Sequence, residues 1–409
     1  MKINIKKFSF KSLYSGLVPL FVLAHFSHHL MAALLPPLLP LIRDDFKLDY
    51  TQASWIGSVF TLAYGVSQLP AGWLADRIGA RLLITVGISG VAVAGLMVGL
   101  SPSYTIMVVF LVLMGILGGG YHPAASPLVS ASVDTKNRGR ALGLHQIGGT
   151  ASFFLTPLIA VGIAAAFGTW RSSFIILAVL TFLFGVIFYV MLARQGKTKQ
   201  AEEVISQSSV EKAPAKSSNS GHMAKLVPFI IMGVVLQIAT YSAIYFIPMF
   251  ASDQLKTSKE VGAALLALAQ FAGLWAGPVG GYLSDRIGPV PVMLAVTIAA
   301  GPAIWLLNLA SLSWSIYLIL FVMGTCQYVG MPVSESYIIS HSPERNRSTI
   351  LGFYYFASRG GPGLLMPAMG YLTDRFSFSA TFTIVGAGML AVALVCSLLL
   401  WRSREAMSL

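Results

Sequence analysis

Two ionisable residues stand inside long apolar runs: Glu335, in Met331-Pro332-Val333-Ser334-Glu335-Ser336-Tyr337, and Arg359, beside Gly360-Gly361-Pro362-Gly363. A charged group at membrane depth is costly unless it is paired or wetted, so each marks a polar pathway. Glu335 has the chemistry of a proton carrier, able to keep a proton while enclosed and lose it when water arrives. Its plainer alternative is a structural hydrogen bond to backbone freed near Pro332. Arg359 offers a rigid two-pronged donor for a carboxylate or phosphonate-like group, or a fixed counter-charge to Glu335. His122, just before Pro123, titrates in the physiological range when unperturbed and is a second candidate for proton handling. His145 and Gln146 are neighbouring substrate-contact candidates; one of the two is expected to face the pathway, and Gln146 is the better hydrogen-bonding contact. His25, His28 and His29 share a helical face through their i, i+3 and i+4 spacing. His25 and His29 could approach one metal ion, but no Cys, Asp or Glu accompanies them. The expectation is therefore a polar wall near Ser27 and no metal.

Tyr241, Tyr245 and Tyr355, with Gln237, could supply the apolar and hydrogen-bonding wall around such a pathway, although most aromatics in a membrane bundle only pack or anchor. No Ser-His-Asp arrangement, nucleotide-phosphate loop or thiolate metal cluster stands at a suitable position, which argues against an enzyme and against a cofactor. Cys326 and Cys396 both lie in apolar runs and imply no disulfide framework.

The elements that must position these residues are membrane helices. Of the 409 residues 56% are hydrophobic and only 10% charged, and the mean hydropathy is +0.76. A soluble fold needs more surface charge, and a barrel would show short alternating segments. The net charge of +12 is explained by basic residues clustered in alternate loops, so no nucleic-acid partner is implied. Twelve spans are predicted, near 13–42, 52–74, 82–100, 104–132, 141–167, 172–192, 226–250, 261–283, 290–309, 314–340, 350–372 and 380–401. The chain divides into a bundle at 1–194, a polar cytoplasmic linker at 195–225 and a second bundle at 226–409, with both termini cytoplasmic. Arg375, Lys256 and Lys259 are exceptions on the outer side.

Gly72-Trp73-Leu74-Ala75-Asp76-Arg77-Ile78-Gly79-Ala80-Arg81 is nearly repeated as Gly281-Tyr282-Leu283-Ser284-Asp285-Arg286-Ile287-Gly288, and in part as Gly370 to Arg375. The first two copies sit between consecutive spans in corresponding places, which signals two related halves and a gating contact rather than a substrate pocket. The interval from Asp76 to Asp285 also separates Pro123 from Pro332, each following a glycine-rich run. Equivalent helices are thus expected to be kinked alike around a central cavity.

These motifs resemble the major facilitator superfamily, whose loop after span two matches Gly72 to Arg81 and whose weaker second-half loop matches Gly281 to Gly288. Arg138-Gly139-Arg140-Ala141-Leu142-Gly143 is similar to the family's start of span five. Tyr121-His122-Pro123 and Gln146-Ile147-Gly148-Gly149 resemble elements of its fosmidomycin-resistance branch of drug exporters, with departures at Ala124 and Thr156-Pro157. The resemblance implies an all-α fold of two pseudo-symmetric six-helix bundles. It also implies alternating access driven by an ion gradient, with Gly72, Asp76, Arg77, Gly79, Arg81, Asp285, Arg286 and Arg138 in gating roles. The expected function is proton-coupled export of a small organic, anionic or phosphonate-like compound, by a monomer surrounded by lipid in a bacterial inner membrane. An importer of an organic acid is the alternative, and a non-transporting membrane receptor a minor one.

Overall fold

The computed structural model describes residues 17–134, 137–194, 220–343 and 347–405. The remainder of the expected linker, 195–219, and residues 13–16 of the first expected span lie outside the described residues. Twelve helical units follow in order: α1 Leu17–Phe46, α2 Tyr50–Ile78, α3 Ala80–Gly99, α4 Tyr104–Ala131, α5 Arg138–Phe167 and α6 Trp170–Arg194. The second half comprises α7 Ser220–Asp253, α8 Lys259–Leu274 continued by Ala276–Ile287, α9 Pro289–Leu309, α10 Trp314–His341, α11 Arg347–Gly360 continued by Pro362–Arg375, and α12 Phe378–Glu405. Among the described residues, nine helices are long and apolar enough to cross a membrane, ten when the bent α8 is one span. The protein is a multi-pass membrane protein with two six-helix bundles.

Local chemistry sets the ends of these helices. Asp49 accepts from Gln52 N at 2.7 Å while Gln52 Oε1 accepts from Asp49 N at 3.2 Å. This reciprocal cap starts α2 before the expected position 52. Gly79 and Gly288, at matching positions in the repeated turn, adopt φ of 86° and 90°. Only glycine takes that backbone conformation readily, so the turn between α2 and α3 is the same device as that between α8 and α9.

The helices are broken only in part as the prolines suggest. α4 does divide, between Gly118 and Tyr121, and Pro123 then falls in the first turn of its second segment, where a missing N–H costs nothing. α10 instead runs continuously from Trp314 to His341 with Pro332 inside it, so the equivalent helices are not interrupted alike. α1 breaks at Ala33 and Leu34, ahead of Pro36 and Pro37. α11 breaks at Gly361 ahead of Pro362, and α8 bends by 43° after Leu274. α3 contains a π turn over Val86–Gly90 with no proline at all.

The halves meet along two seams, α2 against α11 and α5 against α8. Since α8 is the second-half equivalent of α2 and α11 that of α5, the two seams are related by the same pseudo-symmetry. Small residues make the first seam possible: a Cβ on Gly65 would come within 2.8 Å of the Gly360 backbone, and one on Gly363 within 2.8 Å of the Ser58 carbonyl oxygen. Ser58 donates to the Gly363 carbonyl across this contact.

Candidate functional site

Between the halves lies a cavity of about 650 Å³. His25 and His29 of α1, His122 of α4 and Gln146 of α5 line it from one half. Gln237 and Tyr241 of α7, Gln270 of α8, Gln327, Tyr328, Met331 and Glu335 of α10, and Arg359 of α11 line it from the other. A smaller pocket of about 50 Å³ shares His29, Phe153, Gln237, Tyr241, Met331 and Arg359 with it and adds Tyr64, Tyr354, Tyr355 and Ser358. Imidazoles, amides, phenols and the carboxyl of Glu335 converge here with two guanidinium groups, Arg359 and, at one end, Arg140.

Glu335 and Arg359 face the same cavity but form no ion pair among the described residues; the guanidinium Nη2 instead lies 3.3 Å from Met331 Sδ. A thioether is a weak acceptor, so most of the donor capacity of Arg359 stays available to an anion. Gln237 Nε2 donates to the Gln327 carbonyl at 2.8 Å, and Tyr328 donates to Gln270 Oε1 at 2.6 Å, which fixes two of the amides.

The histidines separate by role. The π turn of α3 frees the Gly87 carbonyl, which His28 Nδ1 reaches at 2.7 Å, and the His28 ring stacks on Tyr121 with centroids 4.2 Å apart. His28 is thereby structural, as π turns commonly accommodate a side chain of this kind near functional sites. His145 is buried, its Nε2 3.2 Å from the Tyr121 hydroxyl, and it does not reach the cavity, whereas Gln146 does. The two residues are about 100° apart around α5, and only Gln146 lines the cavity. Tyr245 is likewise buried behind Tyr241, with its ring beside Gly57, and lines neither pocket. Tyr355 borders the smaller pocket only. Met331, Phe153 and Tyr328 line the cavity without having been expected from sequence; nothing in a methionine or phenylalanine of an apolar span distinguishes a wall residue from a packed one.

One end of the cavity is closed by contacts between halves. Asp374, in the third partial copy of the repeated turn, accepts from Tyr50 N at 2.9 Å, Thr51 N at 2.8 Å and Thr51 Oγ1 at 2.6 Å. Arg43 pairs with Asp253, which also accepts from the Tyr50 hydroxyl at 2.7 Å. Lys259 meets Asp44 at 2.6 Å, which gives one of the exceptional basic residues a counter-charge on the other half. At the opposite, basic end the cavity is bordered by Gly139, Arg140, Gly143, Gly277 and Pro278. Arg77, Arg81 and Arg286 there lie over the rings of Trp73, Tyr189 and Tyr282 at 4.3, 4.6 and 5.2 Å. Arg77, Arg81 and Arg286 make no ion pair among the described residues. Arg138 is exposed at the start of α5, and Asp285 makes no ion pair among the described residues; the surroundings of Gly72 and Asp76 lie outside the described residues.

A cavity shared by two helical bundles, sealed at one end and bordered by small residues at the other, is the architecture of a membrane carrier. The sequence profile of the Major Facilitator Superfamily matches residues 21–273 and again 229–408, two overlapping matches that together span both halves. The chain belongs to the Major Facilitator Superfamily. Membership makes it a transporter of small molecules rather than an enzyme. Among curated relatives it is similar to the multidrug resistance protein MdtG of Enterobacter lignolyticus, 23% identical over 381 residues that cover 91% of this chain and 89% of the relative. The MdtG protein of Dickeya zeae is 23% identical over 364 residues, covering 87% of each. In fold it is similar to a POT family transporter solved with 5-aminolevulinic acid, with a TM-score of 0.77, 14% identity, and coverage of 94% of this chain and 96% of that one. A bacterial homologue of the human lysosomal transporter Spinster, solved inward-facing and occupied, gives a TM-score of 0.73 at 15% identity, covering 95% and 96%.

Proposed function

We propose that this chain exports a small organic compound by alternating access, in exchange for protons entering through the same cavity. The observation that carries the reading is the meeting of Glu335 and Arg359, unpaired with each other, in one cavity lined by both halves. Glu335 is the proton-coupling residue, with His122 beside the route. Arg359, Gln146, Gln237 and Tyr241 hold the cargo, which is anionic or amphipathic. The name of the MdtG relatives supports drug efflux as the physiological direction. The basic end is the cytoplasmic one by the charge rule, which puts both termini inside an inner membrane and makes the described conformation inward-open.

Import of an organic acid is the competing reading, favoured by Arg359 as an anion hook. Inside-out and right-side-out vesicles carrying the protein, loaded with labelled candidate compounds under an imposed pH gradient, separate the two. Export predicts accumulation in acid-interior inside-out vesicles. Accumulation in right-side-out vesicles driven by inward proton flow would overturn it.

A further inference from the structure

His25, His29 and His122 all line the cavity, and one ring nitrogen from each lies within 4.8 Å of the other two. From sequence, His25 and His29 lacked a third ligand; α4 supplies it with His122, in the first turn of its second segment. His25 Nδ1 is 2.7 Å from the His145 carbonyl oxygen. A carbonyl only accepts, so Nδ1 carries the ring proton and Nε2 presents a lone pair. This is the outer-shell hydrogen bond that orients ligating imidazoles. His25 is 2% exposed, and its Nε2 is buried with no hydrogen-bond partner. Such an atom needs an explanation. Among the described residues, no hydrogen bond engages the ring nitrogens of His29 or His122 either.

We propose that His25, His29 and His122 bind a divalent transition-metal ion of the zinc class, with its remaining coordination position facing the cavity. Three imidazoles with one open position form a recognised zinc donor set, and the absence of a carboxylate among them disfavours magnesium and calcium. With Zn–N distances of about 2.0–2.1 Å, tetrahedral ligands stand roughly 3.3–3.4 Å apart. Binding requires the His29 and His122 rings to turn toward His25 Nε2 by the difference, since the His25 ring is held by its Nδ1 hydrogen bond. Arg359 on the same cavity opposes a dication, and Glu335 on the same cavity offsets that charge. The open position suits an oxygen anion of a chelating compound. The metal site goes beyond the export reading and does not depend on it.

The test is an equilibrium titration of full-length, tag-free protein in lipid nanodiscs with Zn²⁺ by calorimetry, and with Co²⁺ as an absorbing probe. One Zn²⁺ per chain and intense tetrahedral-type Co²⁺ absorption are expected. His29→Gln and His122→Gln should each weaken Zn²⁺ at least tenfold, since even outer-shell partners of a metal site carry roughly 10–100-fold. His341→Gln, remote from the cavity, should change nothing. If a variant fails to fold, X-ray absorption of zinc on the unsubstituted protein decides alone: a first shell with imidazole nitrogens supports the site. No binding, a first shell of oxygens only, or affinity unaltered by the cavity substitutions overturns it. The measurement uses neither gradient nor cargo. Failure to bind zinc therefore leaves the export reading intact, and failure of flux leaves the metal site intact.

Discussion

Glu335→Gln keeps the size and much of the hydrogen bonding of Glu335 but removes its titration. The variant should insert and bind cargo, lose gradient-driven flux, and retain exchange of labelled for unlabelled cargo without a pH gradient. Simultaneous recording of proton and cargo movement in liposomes checks this; an unchanged proton-to-cargo ratio with uphill transport would pass the role to His122. Arg359→Lys keeps the charge and loses the planar fork. A lost charge-assisted hydrogen bond is worth about 1.5–3 kcal/mol, so anionic compounds should bind roughly 10- to 100-fold more weakly. Competition with a panel of anionic and neutral compounds reads the difference, and equal losses for both would remove the anion hook. Both residues were legible in the sequence because a charge in an apolar span has few bland explanations. The histidines were only half legible. Helical spacing placed His25, His28 and His29 on one face, but only the carbonyl of Gly87, released by an unforeseen π turn, separates His28 from the other two.

The first turn of α2 is completed from both halves. Its N-cap Asp49 accepts the third backbone N–H, and Asp374 of α11 accepts the first two. A helix start leaves such groups unsatisfied and favours negative charge, so Asp374 stabilises the closed end through the helix as well as through contact. Asp374→Asn should weaken that closure by about 0.3–2 kcal/mol. Distances between spin labels across the closed end should then show a larger open population; an unchanged distribution would remove the cap from the gate. Gly370→Leu tests the same seam by bulk, because even a Cβ there would stand 2.6 Å from Ser54 Oγ. It should raise cysteine labelling at the closed end while leaving membrane insertion intact. The existence and order of all twelve helices were readable from apolar length and loop charge. Their interruptions were not, because proline marks a missing donor without saying whether it falls at a helix start, as Pro123 does, or in a tolerated interior, as Pro332 does.

Across the whole molecule, closure combines a half-buried pair, Arg43 with Asp253, and a more exposed one, Lys259 with Asp44. The exposed pair should contribute little and respond to salt, whereas removing one partner of the sheltered pair leaves a charge poorly compensated. Asp253→Asn should therefore open the closed end more than Lys259→Gln does, by single-molecule energy transfer between the halves; equal effects would show that burial does not grade the two pairs. The matching left-handed turns at Gly79 and Gly288 have a historical consequence. They are what duplication of a six-helix unit leaves behind, the same backbone kept in both descendants. The side chains have since parted: in the described cavity the imidazoles belong to the first descendant, and the carboxyl of Glu335 and the guanidinium of Arg359 beside it to the second. Neither could now replace the other, and a carrier assembled from two copies of one half would inherit the turns without the division of labour.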